Sequence, residues 1–113
     1  MTNVLFVCLG NICRSPMAEA IFKDLVLKAG LQDQIQVDSC ATSSEEEGHK
    51  PHPGARKVMA AHGLDYSYMH SRPITRQDFD WADYIITMDS QNVFNLNQMA
   101  PAQDRSKIQL CLD

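Results

Sequence analysis

No apolar run in this sequence approaches the ~20 residues needed to cross a bilayer, which argues against a membrane role. The opening run Val4-Leu5-Phe6-Val7 has no basic segment before it and is too short for a signal sequence, so export is not expected. Positive charge is scarce and scattered. Ten Lys and Arg against fourteen Asp and Glu leave a net charge of −4, a poor footprint for nucleic acid. The four histidines lack the paired spacing of a zinc site, so neither a metal nor another cofactor is expected. Internal repeats, low-complexity tracts and linkers are also missing. Four cysteines in a chain without an export signal point to a reducing, cytoplasmic compartment, where thiols are reactive or buried rather than bridged. What remains is an ordinary globular composition, 44% hydrophobic and 21% charged, over 113 residues. That length suits one domain spanning residues 1–113.

The pattern along the chain alternates strands with helices. Asn3–Leu9 is apolar on both faces, as a buried parallel strand is. Ser15-Pro16 opens a helix that runs to about Ala29, with Ile21, Leu25 and Leu27 in helical spacing and Gly30 as its stop. Gln34–Cys40 alternates and predicts a second strand, followed by a polar loop over Ala41–Pro53. Gly54–His62 predicts a helix with Val58 and Met59 facing inward, and Thr75–Trp81 a short one. Tyr84–Met88 predicts a third strand, Ser90–Met99 a helix and Lys107–Leu112 a fourth strand. Strand and helix alternating at this spacing predict parallel strands with right-handed crossovers. The fold class is therefore α/β, a doubly wound four-stranded parallel sheet with helices on both faces. Ligands of such sheets bind beyond the C-terminal strand ends, where the segment Leu9–Arg14 lies.

That segment carries the chemistry. Cys8-Leu9-Gly10-Asn11-Ile12-Cys13-Arg14-Ser15 sets a cysteine and an arginine six positions apart, between a strand and a helix N-terminus. A helix N-terminus presents unsatisfied N–H groups and the positive end of a dipole, and so attracts a dianion such as phosphate. Gly10 and Asn11 tolerate positive φ, which lets successive N–H groups turn into one concavity. Arg14 adds a planar fork able to grip two phosphoryl oxygens. A thiol at such a positive end is deprotonated more readily, which marks Cys8 as a nucleophile, and Ser15 offers it a hydroxyl. The loop itself supplies the positive charge, so the chemistry needs no metal.

The run from Val4 through Cys8-Leu9-Gly10-Asn11-Ile12-Cys13-Arg14-Ser15-Pro16 to Ala20 resembles the signature of the low-molecular-weight protein tyrosine phosphatases. Further matches are Val37-Asp38-Ser39, Gly48, Pro51, His62-Gly63-Leu64, Ser71-Arg72, Asp78-Phe79 and Asp83–Asp89, so the resemblance covers the whole chain. It implies a flavodoxin-like sheet and hydrolysis of phosphotyrosine in proteins, or of aryl phosphates, through a cysteinyl-phosphate on Cys8. By the same resemblance Arg14 clamps the transferring oxygens, and the backbone of Leu9, Gly10, Asn11, Ile12, Cys13 and Arg14 cradles them. Inorganic phosphate, sulfate or vanadate would fill the same cradle. Asn11 and Ser39 brace the loop, and Ser15 assists the thiolate. Related arginine-phosphate phosphatases carry Thr where Ile12 stands, which favours phosphotyrosine.

The match departs from the family in three ways. The family's general acid is an Asp in an Asp-Pro loop after the fourth strand, and these 113 residues contain no Asp-Pro. The expectation is a C-terminally short domain without that acid and without the closing helix, prone to self-association through the bared sheet face. A phosphate-binding or catalytically impaired module is accordingly one alternative reading, and an arginine-phosphate phosphatase another. Glu45 replaces a rim aromatic of the mammalian members, which predicts a shallower and more acidic cleft. His70 stands two residues before Arg72 rather than three, and is assigned no role. Cys13 reads as loop filler or as a redox partner for Cys8, and Cys40 and Cys111 as core thiols. Glu45–Glu47 reads as a solvated loop, Asp89 and Glu19 as braces, and Asp113 as an unsupported stand-in acid.

Overall fold

A computed structural model describes residues 1–12 and 14–110. Four parallel strands, β1 (Thr2–Cys8), β2 (Ile35–Ala41), β3 (Tyr84–Thr87) and β4 (Ile108–Leu110), form one sheet in the order β2-β1-β3-β4. Four helices connect them: α1 (Arg14–Lys28), α2 (Pro53–Ala61), α3 (Arg76–Trp81) and α4 (Ser90–Met99). A 3-10 turn over Ala102–Lys107, which the pattern does not signal, leads into β4. Among the described residues no helix is long and apolar enough to cross a membrane.

The strand order positions the site. From β1 the chain crosses to β2 on one side, then returns past β1 to β3 on the other. The connections leaving β1 and β3 therefore diverge, and a crevice opens at their C-terminal ends. Cys8 ends β1, and Asp89 begins the turn from β3 into α4.

Alternation along β1 feeds two cores. Val4 and Phe6 join Val37 and Val26 beneath α1, where the tilted rings of Phe6 and Phe22 have centroids 5.7 Å apart. Leu5 and Val7, both without exposed surface, join Cys40, Ile85, Phe79 and Leu96 on the face covered by α3 and α4. Truncating a side chain such as Leu5 to Ala costs about 2–5 kcal/mol in such packing.

Helix ends follow local rules. Thr75 caps α3 in a reciprocal box with Asp78, and Asp89 caps α4 by accepting from the Asn92 N–H at 2.9 Å. Gly30 takes φ +73° just beyond α1, a conformation that stops a helix at little cost only for glycine.

One helix face was left open by the sequence, and one expectation about an inward face needs correction. On α1 the stripe Ile21, Leu25, Leu27 faces solvent, each residue at least half exposed. The helix instead meets the sheet through Ala18, Phe22 and Val26, and meets α2 through Ala20. Apolar residues encircle α1, so their spacing alone does not choose the buried stripe. On α2, Met59 is buried but Val58 is exposed, because only one side of the helix reaches α1.

Candidate active site

Strand β1 delivers Cys8 to the crevice, and the chain turns at once toward α1. Asn11 makes the turn, in the left-handed region at φ 54°, which aims its backbone N–H back at Cys8 Sγ, 3.3 Å away. Gly10 was expected to share this conformation and does not. Its lack of a side chain serves close approach instead: a Cβ there would lie 3.3 Å from the Glu46 side chain. The carbonyls of the loop are drawn outward. Those of Cys8 and Leu9 accept from the Thr42 and Ser43 N–H groups, and that of Ile12 from the His52 N–H at 2.6 Å. The Gly10 carbonyl accepts from the Ser71 hydroxyl at 2.7 Å.

Beneath the sulfur lies a buried polar network whose donor directions can be worked out. The Arg72 backbone N–H can only donate, so the Asn11 amide oxygen faces it, at 3.3 Å. The Asn11 Nδ2 therefore donates to both Ser15 Oγ, at 2.8 Å, and Ser39 Oγ, at 3.0 Å. Ser15, fully buried in the first turn of α1, keeps its own proton for Cys8 Sγ at 3.0 Å. Ser39 passes its proton to Glu19 Oε1 at 2.5 Å. Two donors thus converge on the sulfur, the arrangement that receives a thiolate.

Arg14 opens α1 and is half exposed, its Nη2 3.0 Å from Asp89 Oδ2. Hydrogen bonding from the Asn92 N–H, then from Arg14, holds the Asp89 carboxyl below the usual range. Asp89 is thereby kept as an anchor for the guanidinium. Arg72 is clamped on its far side by Asp78, through bonds of 2.8 and 2.9 Å, and by Asp38 at 3.0 Å. Glu45 and Glu47 are exposed, whereas Glu46 lies against Gly10 and meets His49 Nδ1 at 2.6 Å. Burial pushes the Cys40 thiol well above its ordinary value, which suits a core residue.

The structure thus gathers Cys8, Asn11, Ser15, Ser39 and Glu19 into one cluster, with Arg14 and Asp89 beside it. Cys13, Cys111 and Asp113, expected as cradle and redox partner, core thiol and stand-in acid, lie outside the described residues. Thr42, His52 and Tyr68 support the site without having been singled out. They arrive from about 35 to 50 positions away, and no local pattern flags them.

A family model described as low molecular weight phosphotyrosine protein phosphatase matches residues 3–113. The chain belongs to that family. The low molecular weight protein-tyrosine-phosphatase YfkJ of Bacillus subtilis is 46% identical over the whole chain, which spans 72% of that relative. The Homo sapiens low molecular weight phosphotyrosine protein phosphatase is 47% identical over 85% of this chain and 60% of its own length. The crystal structure of YfkJ superposes with a TM-score of 0.93, covering 97% of this chain and 69% of that one. A structure titled as a drosophila arginine phosphatase superposes at 0.88 with 43% identity, covering 97% and 70%. The enzyme class is accordingly that of the protein tyrosine phosphatases, and the flavodoxin-like sheet order of this family member agrees with those neighbours.

Proposed function

We propose that this chain hydrolyses phosphotyrosine monoesters through a cysteinyl-phosphate on Cys8. The observation that carries the reading is the pair of donors, the Asn11 N–H and the Ser15 hydroxyl, converging on Cys8 Sγ where β1 meets the N-terminus of α1. A phosphate monoester enters the loop, its oxygens facing the N–H groups that the outward carbonyls leave on the inner side. Arg14, turning from Asp89, grips two of those oxygens. Cys8 Sγ attacks phosphorus in line, the P–O bond to the tyrosine oxygen breaks, and that oxygen leaves as the phenolate, which takes its proton from water. Water then attacks phosphorus and releases inorganic phosphate, and Cys8 leaves as the thiolate that Ser15 and Asn11 receive. The loop and Arg14 stabilise the charge gathering on the equatorial oxygens. By its place in the sequence, five positions after Cys8, Cys13 is the thiol we assign both to the cradle and to the capture of a Cys8 sulfenic acid as a disulfide, with loss of water.

The test is rapid acid quench with p-nitrophenyl phosphate and intact mass measurement. Parent protein should carry one phosphoryl adduct on Cys8, and Cys8→Ser should carry none while still binding vanadate. Steady turnover with no adduct at any time would overturn the mechanism. The drosophila arginine phosphatase neighbour gives an arginine-phosphate substrate as a second reading. Ile12, an aliphatic residue in the cradle, favours phosphotyrosine, and a direct comparison of the two phosphoamino acids decides between them.

A further inference from the structure

We propose that Tyr68 and Lys23 are positioning residues for the Cys8 nucleophile, acting through the buried carboxylate of Glu19. The inference rests on Cys8 being the reacting group and extends the site well beyond the phosphate loop. Glu19 is 2% exposed and uses both oxygens. Oε1 accepts from Ser39, while Oε2 accepts from the Tyr68 hydroxyl at 2.8 Å and from Lys23 Nζ at 2.7 Å. Lys23 also donates to the Tyr68 oxygen at 2.9 Å and lies 4.4 Å from the centre of its ring. The three groups form a closed triangle whose outer two members are part-exposed, and Tyr68 with Glu19, Asn11 and Ser39 lines a cavity of about 110 Å³.

The argument concerns the direction of protons. A carboxylate can only accept, so Glu19 obliges Ser39 to donate toward it. Ser39 must then accept from Asn11, which fixes the Asn11 amide with its Nδ2 toward Ser15 as well. Ser15, receiving from Asn11, turns its own hydrogen to Cys8. A Glu19 that lost its outer partners would be held through Ser39 alone, and its Oε2 would no longer fix the carboxylate in place. Turning away from Ser39, it would leave the direction of the whole sequence unset. Burial drives the Tyr68 phenol up to about 12, so it remains a donor through the physiological range. Burial pulls the Lys23 ammonium down, but its bonds to Glu19 and Tyr68 outweigh this and raise it, so it remains a cation.

The experiment is a double-mutant cycle read by the rate at which iodoacetamide alkylates Cys8 in the folded protein at one mildly acidic pH. Alkylation needs no phosphoryl transfer, so its outcome stands whether or not the chain hydrolyses phosphotyrosine. Tyr68→Phe keeps the ring and removes the donor, and it should slow alkylation about three- to tenfold, the worth of one buried hydrogen bond. In a Ser15→Ala background the same change should matter less than about twofold, because the path to sulfur is already cut. Lys23→Met should repeat the pattern and supplies a second route should Tyr68→Phe not fold. Asp24→Asn, which removes the Asp24–Lys28 pair on the same helix, should leave the rate unchanged. Equal slowing with and without Ser15, or no slowing in either, would overturn the proposal.

Discussion

The two sides of α1 reverse the usual division of an amphipathic helix. Its inner side buries Ser15 and Glu19, while its outer side exposes Ile21, Leu25 and Leu27. The inner polar groups are tolerable because each hydrogen-bonding atom of the cluster finds a partner from another segment: β2, the turn after β1, or the stretch around Tyr68. What that burial yields is one directed hydrogen bond at Cys8. The outer apolar groups have no such task, and single exposed apolar side chains are common on folded proteins. The comparison teaches that in this helix the buried polar residues, set among apolar Ala20 and Val26, are under constraint while the exposed apolar ones are not.

Glu19→Ala should have the largest effect of any change on the helix. It strips an acceptor from Ser39, Tyr68 and Lys23 together, and losing one partner of a buried charged cluster costs about 3–5 kcal/mol. Urea denaturation measures it, and a loss below about 1 kcal/mol, an ordinary value for a point mutation, would erase the contrast between the two sides. Ser15→Ala should fall next, and on chemistry rather than folding. Removing one of two donors to the sulfur should lower the rate of phosphoryl transfer to Cys8 by about 10²-fold, as losses of single preorganised donors do. Its stability should drop by only about 1 kcal/mol. Burst kinetics with p-nitrophenyl phosphate and a thermal melt separate the two quantities.

Asp78 offers a polar contact of another kind, an ion pair with half-buried Arg72 away from the sulfur. Burial would raise its carboxyl, but hydrogen bonds from Arg72 and Thr75 outweigh this and hold it below the usual Asp value. A folded-state value lower than the unfolded one means that the pair stabilises fully above the ordinary Asp range. That contribution is lost as pH falls through the depressed value. Asp78→Asn should cost about 2 kcal/mol at neutral pH, less than a fully buried pair because solvent reaches Arg72. It should also flatten the acid limb of stability against pH, which denaturation curves between neutral and strongly acid pH will record. The smallest effect belongs to the outer side of α1. Ile21→Gln with Leu25→Gln should stay within about 0.5 kcal/mol per site, and a larger loss would place a partner or a second copy on that stripe.

Much of the architecture was legible because it depends on near neighbours in sequence. A run buried on both faces, such as Val4–Val7, reads as a parallel strand. The Gly30 stop acts within a few residues of α1, the element it ends. The Cys8–Ser15 loop was legible for the same reason, since the strand end, the turn and the helix N-terminus are continuous. The buried stripe of α1 was not legible, because apolar residues surround that helix and only the positions of the sheet and α2 select a side. Nor was the 3-10 turn before β4, whose Ala102–Lys107 sequence carries no periodic signal.

The sequence by itself determined a doubly wound sheet, the family signature and the continuous strand–turn–helix segment from Cys8 to Ser15, all of which rest on interactions spanning a few positions. Only the tertiary structure decided how Cys8 is held. The proton directions from Glu19 through Ser39, Asn11 and Ser15 to Cys8 depend on the Arg72 backbone and the Tyr68 hydroxyl, which reach the loop from about 50 to 60 positions away. A hydrogen bond requires its partners within about 3 Å and in line, and chain separation carries no information about that until the sheet has formed.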